Sequence, residues 1–404
     1  MFNKIFKNSF FTYLFFYPLI PTNTHIPIGD SLMCLYIVLF MVKSFSSEKE
    51  RKTFLFRVKD LIKDKIVITM MLSIIIMMIS TFYASNKTIA ITESVRYFSY
   101  VILYIGIKYE FNIKKNFNKF KLLFTIQSGW VFIFGVLQYL TGIGVNTVVD
   151  TEGVVRMEGS LGHPNSLAAY IILLIFPLIF FLINEEKNKN KVIYFVIISM
   201  GILDLVLSWS RNAWLALVVG FVILAIVYNY KFLYGIFGGG IVAVIIPFIR
   251  TRLLQLTSHA INDGRIKLWK AALKMVKDHP IRGIGNGNFS YLYDTYAQMY
   301  PELYAEGHSG FPTHNSYLKM WCEIGTIGML IFFSTYVICG VKLFIINKKY
   351  KNKYSGFTTA VLASFGAFMF SNLFDNLLFL PKVTTIFICL VSLCITVDAK
   401  ERSI

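Results

Sequence analysis

Acidic residues are scarce in this chain. Its 404 positions hold 22 Asp and Glu against 40 Lys and Arg, and charged residues of both signs make up only 15%. Cysteine is scarcer still, at five. Cys34, Cys322, Cys339, Cys389 and Cys394 sit in apolar stretches or at their edges, with no paired spacing. That excludes a disulfide framework or a Cys-based metal motif as the organising principle. No Asp, Glu and His set falls at the spacing of a metal cage, so no metal is expected. No two carboxylates pair as a glycosidase requires. Flexible linkers, low-complexity tracts and internal repeats are absent. The chain therefore reads as a single unit over 1–404.

What fills that unit is apolar. Hydrophobic residues are 56% of the chain and its mean hydropathy is +0.60. A spanning helix needs about 20 mostly apolar residues, and about twelve segments qualify. They lie near 9–22, 28–43, 66–83, 91–107, 121–141, 166–184, 192–208, 212–229, 232–249, 316–340, 356–377 and 382–397. The expected fold class is all-α, a polytopic membrane bundle of about 12 helices. A β-barrel would instead show alternating strands of about ten residues. Lys4 and Lys7 ahead of Phe10 to Ile20 imitate a signal peptide. No small-residue cleavage site follows, so an uncleaved first helix is expected.

The formal charge of +18 would suit nucleic acid if it were gathered on a soluble domain. It is spread instead over alternate loops: Lys43 to Lys65, Lys108 to Lys121, Lys187 to Lys191, Lys348 to Lys353, and both termini. Basic loops stay inside, which makes these segments and both chain ends cytoplasmic. Their charge then faces anionic inner-leaflet lipid, and nucleic acid is not an expected partner. The opposite, extracytoplasmic face receives 21–27, 84–90, 142–165, 209–211, 250–315 and 378–381.

The 250–315 loop, between the ninth and tenth spans, is the largest of these. Asn262 or Asp263 can cap a helix running to about Lys277, stopped by His279-Pro280. Ile266, Trp269, Leu273 and Val276 fall on one face of it, and Lys267, Lys270, Lys274 and Lys277 fall elsewhere. Such a helix can lie in the membrane interface or pack on top of the bundle. A Tyr-rich stretch from Gly287 to Met299 suggests a second short helix, and Gly307 to Pro312 a turn.

Ionisable residues gathered at one membrane face are a functional-site signal. His314 precedes the tenth span in Pro312-Thr313-His314-Asn315-Ser316. It is either a neighbour of a helix cap supplied by Thr313 or Asn315, or a general base for an attacking hydroxyl. Arg265 is either one more basic interface residue or a phosphate ligand, helped by the free N–H groups of a helix start. Arg211 stands in a short turn between two spans, where it can snorkel or hold an anion. Arg156 offers a third cation. His163 is either a second proton handler or structural, and Asn165 reads as the cap of the sixth span. Asn315 supports His314. Glu323 lies about two and a half turns past His314; it is either a hydrogen-bonding group of the bundle or an orienter of the imidazole. Gly283-Ile-Gly-Asn-Gly287 reads as a tight turn or close backbone approach. No strand precedes it, so a nucleotide loop is not expected.

Arg156-Met-Glu-Gly-Ser-Leu-Gly-His-Pro-Asn165, Ser210-Arg211, Arg265-Ile-Lys-Leu-Trp269, Asp278-His-Pro-Ile-Arg-Gly-Ile-Gly285, His314-Asn-Ser-Tyr-Leu318 and Glu323-Ile-Gly-Thr-Ile-Gly328 occur in this order. In that order the chain resembles the O-antigen ligase/polymerase superfamily of bacterial membrane glycosyltransferases, over about 156–335. The resemblance implies a GT-C-like bundle in the inner membrane. It implies a glycan donor on undecaprenyl pyrophosphate, an acceptor glycan, and inverting transfer without metal or other cofactor at the extracytoplasmic face. Carried over by position, Arg211 and Arg265 bind pyrophosphate and His314 activates the acceptor hydroxyl. Asn212 stands where the family often has Gly after the Ser-Arg pair. A flippase and a chain-length regulator are the partners such an enzyme would have.

Two activities fit. A polymerase extends one lipid-linked repeat with another, and a ligase moves the finished glycan to a different acceptor. The Lys, Asn, Ile and Phe-heavy composition leans to the polymerase. A transporter or flippase is the reading from another class, but it should show repeat symmetry and midplane helix breaks.

Overall fold

The structure is a computed structural model describing residues 2–20, 28–142, 155–247, 250–251, 259–350 and 353–398. Among the described residues it is all-helical, with fifteen helices and no strand. In chain order they are α1 (Phe2–Phe16), α2 (Ile28–Phe45), α3 (Glu48–Leu61), α4 (Lys65–Ser80), α5 (Lys87–Glu110), α6 (Ile113–Thr141), α7 (Pro164–Ile183) and α8 (Asn188–Leu207). There follow α9 (Arg211–Val227), α10 (Leu233–Ile245), α11 (His259–Asp278), α12 (Phe289–Met299), α13 (Ser316–Lys349), α14 (Lys353–Ser371) and α15 (Pro381–Ile395). Each of the twelve apolar segments falls mainly on a helix in its described part. By length and composition, four helices among the described residues can cross a membrane alone: α6, α7, α8 and α13. The helices α4, α9 and α15 are apolar but shorter, and α2 and α3 meet at a bend of 110°. The chain is an integral membrane protein; the count of twelve spans remains an expectation.

The core is built around α7 and α15, which are buried on nearly every side. A helix apolar all round belongs inside a bundle. The neighbours α8, α9 and α14 pack on α7, while α5, α13 and α14 pack on α15. Outer helices turn large apolar residues such as Ile75, Trp130, Leu140 and Ile226 away from the protein. That surface suits lipid rather than water. Glycines permit the closest approaches: a Cβ on Gly220 would lie 2.1 Å from the Phe176 ring, and one on Gly366 2.2 Å from Ile223.

The two ends of the bundle differ in charge. At one end Asp64 caps α4 and gathers Lys108 of α5 at 2.6 Å and Lys342 of α13 at 3.0 Å. Glu110 takes Lys43 and Arg57 at the end of α5. The other end carries the loops after α4, α8 and α14 and the long segment before α13.

That segment departs from its expected form in two ways. The helix α11 starts at His259, so Asn262 and Asp263 lie within it and do not cap it from outside. Its buried stripe is Leu268, Ala271, Ala272, Met275 and Val276, whereas Ile266 and Leu273 are exposed. The expected face shared only Val276 with this stripe. The reason is the partner: α11 packs on α13 and α12 and needs small residues for close approach. With Phe289, Tyr293 and Leu303 it forms a second, smaller core over the bundle end. The parts of the loop that fall in 252–258, and the 143–154 part of the earlier loop, lie outside the described residues.

The helix α13 is broken. Gly325 has φ 73° and ψ 178°, leaving a short helix from Ser316 to Ile324 ahead of the long one. A break strands backbone groups that must find partners. The glycine segment supplies them: Ile284 N–H donates to the Cys322 carbonyl and Gly285 N–H to that of Glu323, both at 2.9 Å. Thr326 N–H donates to the Pro280 carbonyl at 2.9 Å. The glycine run is thus a close backbone approach. A Cβ on Gly325 would lie 1.9 Å from the Ile281 carbonyl oxygen, and one on Gly283 2.4 Å from that of Glu323.

Candidate active site

The loops at that end converge on a hydrogen-bonded chain of side chains. After α14 the backbone leaves the helix at Ser371, and Asp375 lies in the connection to α15. Asp375 Oδ1 meets His314 Nδ1 at 3.2 Å, and Asp375 Oδ2 accepts from Asn165 Nδ2 at 2.6 Å. Asn165 Oδ1 accepts from the Arg156 guanidinium at 3.0 Å, and Arg156 Nε donates to the Ser208 carbonyl at 3.0 Å. Four connections of the bundle are thereby tied together: the one before α7, the one after α8, the one before α13 and the one after α14.

His314 is held by its neighbours rather than by its own preference. Its φ is +50°, a left-handed conformation costing on the order of 1 kcal/mol for a side chain with a Cβ. Asn315 caps α13, its Oδ1 accepting from Tyr317 and Leu318 N–H at 2.9 and 3.0 Å. Thr313 hydroxyl donates to the Asn315 carbonyl, and Ser316 N–H to the Asn372 carbonyl, both at 2.9 Å. Strain of this kind concentrates at functional sites. Both readings of His314 therefore meet: it stands next to the cap Asn315, and it faces a carboxylate. With Nδ1–H donated to Asp375, Nε2 keeps its lone pair for a proton.

Arg265 reaches this place through a close approach. A Cβ on Gly264 would lie 2.7 Å from the His308 ring. His308 packs edge-on against Phe311 at 5.0 Å between centroids, and Phe311 against His314 at 6.2 Å. The first turns of α11 thus lie against the segment that carries His314. Because α11 starts at His259, Arg265 sits in its second turn, and the free N–H groups expected beside it are not there.

The charges act on one another. Burial alone would raise the Asp375 carboxyl. The His314 hydrogen bond and charge, the Arg265 charge and the Asn376 N–H hold it well below the usual carboxylate range. For His163 the surrounding protein is the largest influence, lowering its pKa; Asp375 opposes this, while Arg156, His314 and Arg265 add to it. Arg156, His163, Arg265, His314 and Asp375 are therefore one electrostatic group.

Among the supporting residues only Asn165 does other work than expected; His163 and Glu323 take the structural one of their two readings. His163, not Asn165, caps α7: its Nδ1 accepts the Asn165 N–H at 3.1 Å. That frees the Asn165 side chain to join Arg156 to Asp375. Glu323 does not orient the imidazole. It is buried, ion-paired with Lys319 at 2.6 Å, and accepts Gly287 N–H at 2.8 Å and Phe289 N–H at 3.2 Å. The inserted glycine segment docks on it just ahead of the Gly325 break. The orienting carboxylate is Asp375, which the sequence puts near the outer end of the 356–377 span. Arg211 opens α9, three residues after Ser208, on the turn that receives Arg156. Asn212 ties that turn to α14, donating to the Ser371 carbonyl at 2.9 Å, a bond that Gly could not make.

With this geometry in place, the comparison with protein families is specific. Residues 193–333 match the O-antigen ligase family. The match supports the O-antigen ligase/polymerase superfamily, which the order of the motifs resembles. The matched O-antigen ligase segment takes in Arg211, Arg265, His314 and Glu323 and stops before Asp375. The family implies a glycosyltransferase-like membrane enzyme. No curated protein matches the chain.

Proposed function

We propose that the protein is a membrane glycosyltransferase that moves a glycan from undecaprenyl pyrophosphate to an acceptor sugar hydroxyl, as a surface polysaccharide polymerase. The observation that carries this is the His314–Asp375 pair set among the charges of Arg156 and Arg265. His314 Nε2 takes the proton of the acceptor hydroxyl as its oxygen attacks the anomeric carbon. The bond from that carbon to the pyrophosphate oxygen breaks, and its electrons leave with the pyrophosphate. Attack opposite the leaving group inverts the anomeric centre. Asp375 stabilises the imidazolium that forms. Arg156, Arg211 and Arg265 neutralise the departing pyrophosphate by aimed positive charge in a partly dry site, so the step needs no metal.

The basic end around Asp64, Glu110 and Lys342 is the cytoplasmic one on the charge rule, which puts the candidate site on the extracytoplasmic face of the inner membrane. Both termini are then cytoplasmic. The polymerase reading rests on composition alone, and a ligase that transfers the finished glycan shares every residue named. A flippase and a chain-length regulator would be its partners.

The test is glycan length on the lipid carrier and on the final acceptor, in cells with wild type or His314→Ala at matched membrane levels. Single repeats accumulating on the carrier support the polymerase. Long chains retained on the carrier make the protein a ligase. Unchanged length and yield sink the catalytic base and bring a transporter forward.

A further inference from the structure

The helix α3 follows α2 after a bend of 110°, so it turns across the end of the bundle instead of extending α2. Ser47 starts it, its hydroxyl accepting Glu50 N–H at 3.2 Å, and Glu48 and Glu50 in the first turn suit that end. Arg57 pairs with Glu110, and the Tyr109 hydroxyl donates to Asp60 at 2.9 Å. Phe54 packs on Phe45 of α2 at 5.4 Å between ring centres. These contacts fix α3 against α2 and α5 at the basic end of the bundle.

Held in this way, α3 still buries no residue. Leu55 is 55% exposed and Ile62 69%. Seven residues apart, they share one face of the helix, with Val58 between them. Phe56 is exposed too, but it stands about 100° round from Leu55 and is not part of that stripe. Lys52, Lys59 and Lys63 are exposed beside it at a matching spacing. Over 48–63 the exposed charged side chains are five basic and one acidic, Glu48, so the outward charge is positive. Lys52 lies 2.7 Å from Glu48, an exposed pair that contributes little.

So many cations do not enter hydrocarbon, and α3 therefore does not complete a span with α2. The chain on either side of it does face lipid. Val38, Val42 and Phe45 are exposed along the end of α2, and Ile68 and Leu72 along the start of α4. The apolar stripe of α3 continues that surface through Phe45 and Ile62. A basic stripe beside an apolar one, on a helix close to a right angle from its spanning neighbour, is the pattern of a helix lying in the membrane interface. Anionic headgroups complement its charge. We infer that α3 lies in the interface of the leaflet at the basic end, with Leu55, Val58 and Ile62 turned into it, and that Lys52, Lys59 and Lys63 hold the headgroups of anionic phospholipid. On the charge rule that leaflet is the cytoplasmic one. This surface does not depend on the transfer reaction proposed above.

The test uses the full-length protein in nanodiscs, with Cys34, which is exposed, changed to Ser and a bimane probe attached through Leu55→Cys. Quenching by brominated phosphatidylglycerol and by brominated phosphatidylcholine gives the relative affinity of the two lipids at α3. Phosphatidylglycerol should be preferred about tenfold or more, since each lysine near the surface adds about fivefold. Lys52→Gln, Lys59→Gln and Lys63→Gln together should bring the two lipids close to equality, and raised salt should shrink the preference in the same direction. Equal affinities with all three lysines in place overturn the headgroup assignment. A probe reached by iodide from water but not by brominated lipid overturns the interfacial position. A probe that neither quencher reaches is covered by protein and overturns it as well. Should Leu55→Cys disturb the helix, the same probe on Ile62→Cys decides.

Discussion

Asp375 and His314 meet at 3.2 Å from two connections 61 residues apart in the chain. The carboxylate fixes which nitrogen carries the ring proton, so the pair sets the orientation of the base. His314→Ala should reduce transfer by about 10²–10⁴, and Asp375→Asn by less. Asp375→Asn keeps the side-chain shape, so membrane level and Tm should hold while transfer falls. Full transfer in a stable Asp375→Asn would leave the carboxylate without a part in the reaction. Asp375 also links stability to pH. Its folded pKa lies below the unfolded value of about 3.9, so its contribution is present above that value and fades as pH falls through the folded one.

His163 predicts a second pH effect of different origin. A backbone N–H can only donate, so His163 Nδ1 must be unprotonated to cap α7. The surrounding protein and the nearby cations lower its pKa. The stability it contributes is therefore full above the unfolded value of about 6.5 and is lost as pH falls below it. Loss of a cap costs about 1 kcal/mol. His163→Asn keeps a capping side chain that does not titrate, so thermal stability between pH 7 and 5 should flatten in that variant. An unchanged slope would show that the dependence lies elsewhere.

The sequence showed the helices well and the site in part, for physical reasons that differ by residue. Twenty apolar residues advertise a span whatever surrounds them, and the described part of every such stretch is mainly helix. His314 and Arg265 were visible because charge beside a span is costly and rare. Asp375 reads from sequence only as an acid near an outer helix end, because Phe374, Leu377, Leu378 and Phe379 around it keep the local hydropathy high through a connection. Glu323 takes the hydrogen-bonding one of its two readings, because the glycine segment that docks just ahead of the Gly325 break brings Gly287 and Phe289 N–H to its carboxylate. The buried face of α11 was misjudged because it packs on helices and not on lipid, so Ala271 and Ala272 outrank Ile266.

That break gives a third prediction. Gly325→Ala would set a Cβ 1.9 Å from the Ile281 carbonyl oxygen, at φ 73°. Overpacking and the left-handed backbone each cost about 1–2 kcal/mol or more. The inserted segment should detach, exposing 283–287 to added protease and lowering Tm. Gly310→Ala is the control, with φ 68° and nothing within 4 Å of its Cβ. It should cost only the backbone part, about 1 kcal/mol. Equal losses in the two variants would mean that the segment is not seated against the break.

A fourth prediction concerns Asp204, which is fully buried in α8 with neither carboxylate oxygen hydrogen-bonded among the described residues. It fits against α6 only because position 135 is Gly: a Cβ there would lie 2.5 Å from the carboxylate. A buried carboxyl without a partner costs stability, and more so when charged. Asp204→Asn keeps the shape and cannot ionise, so Tm should hold or rise. Gly135→Ala should lower it by forcing α6 and α8 apart. Asp204 sits one turn from Ser208, whose carbonyl receives Arg156, so transfer should be measured on the same samples. A stable, well-expressed Asp204→Asn that no longer transfers glycan would give this carboxyl a part in the reaction; full activity would leave it as a tolerated cost of the helix packing.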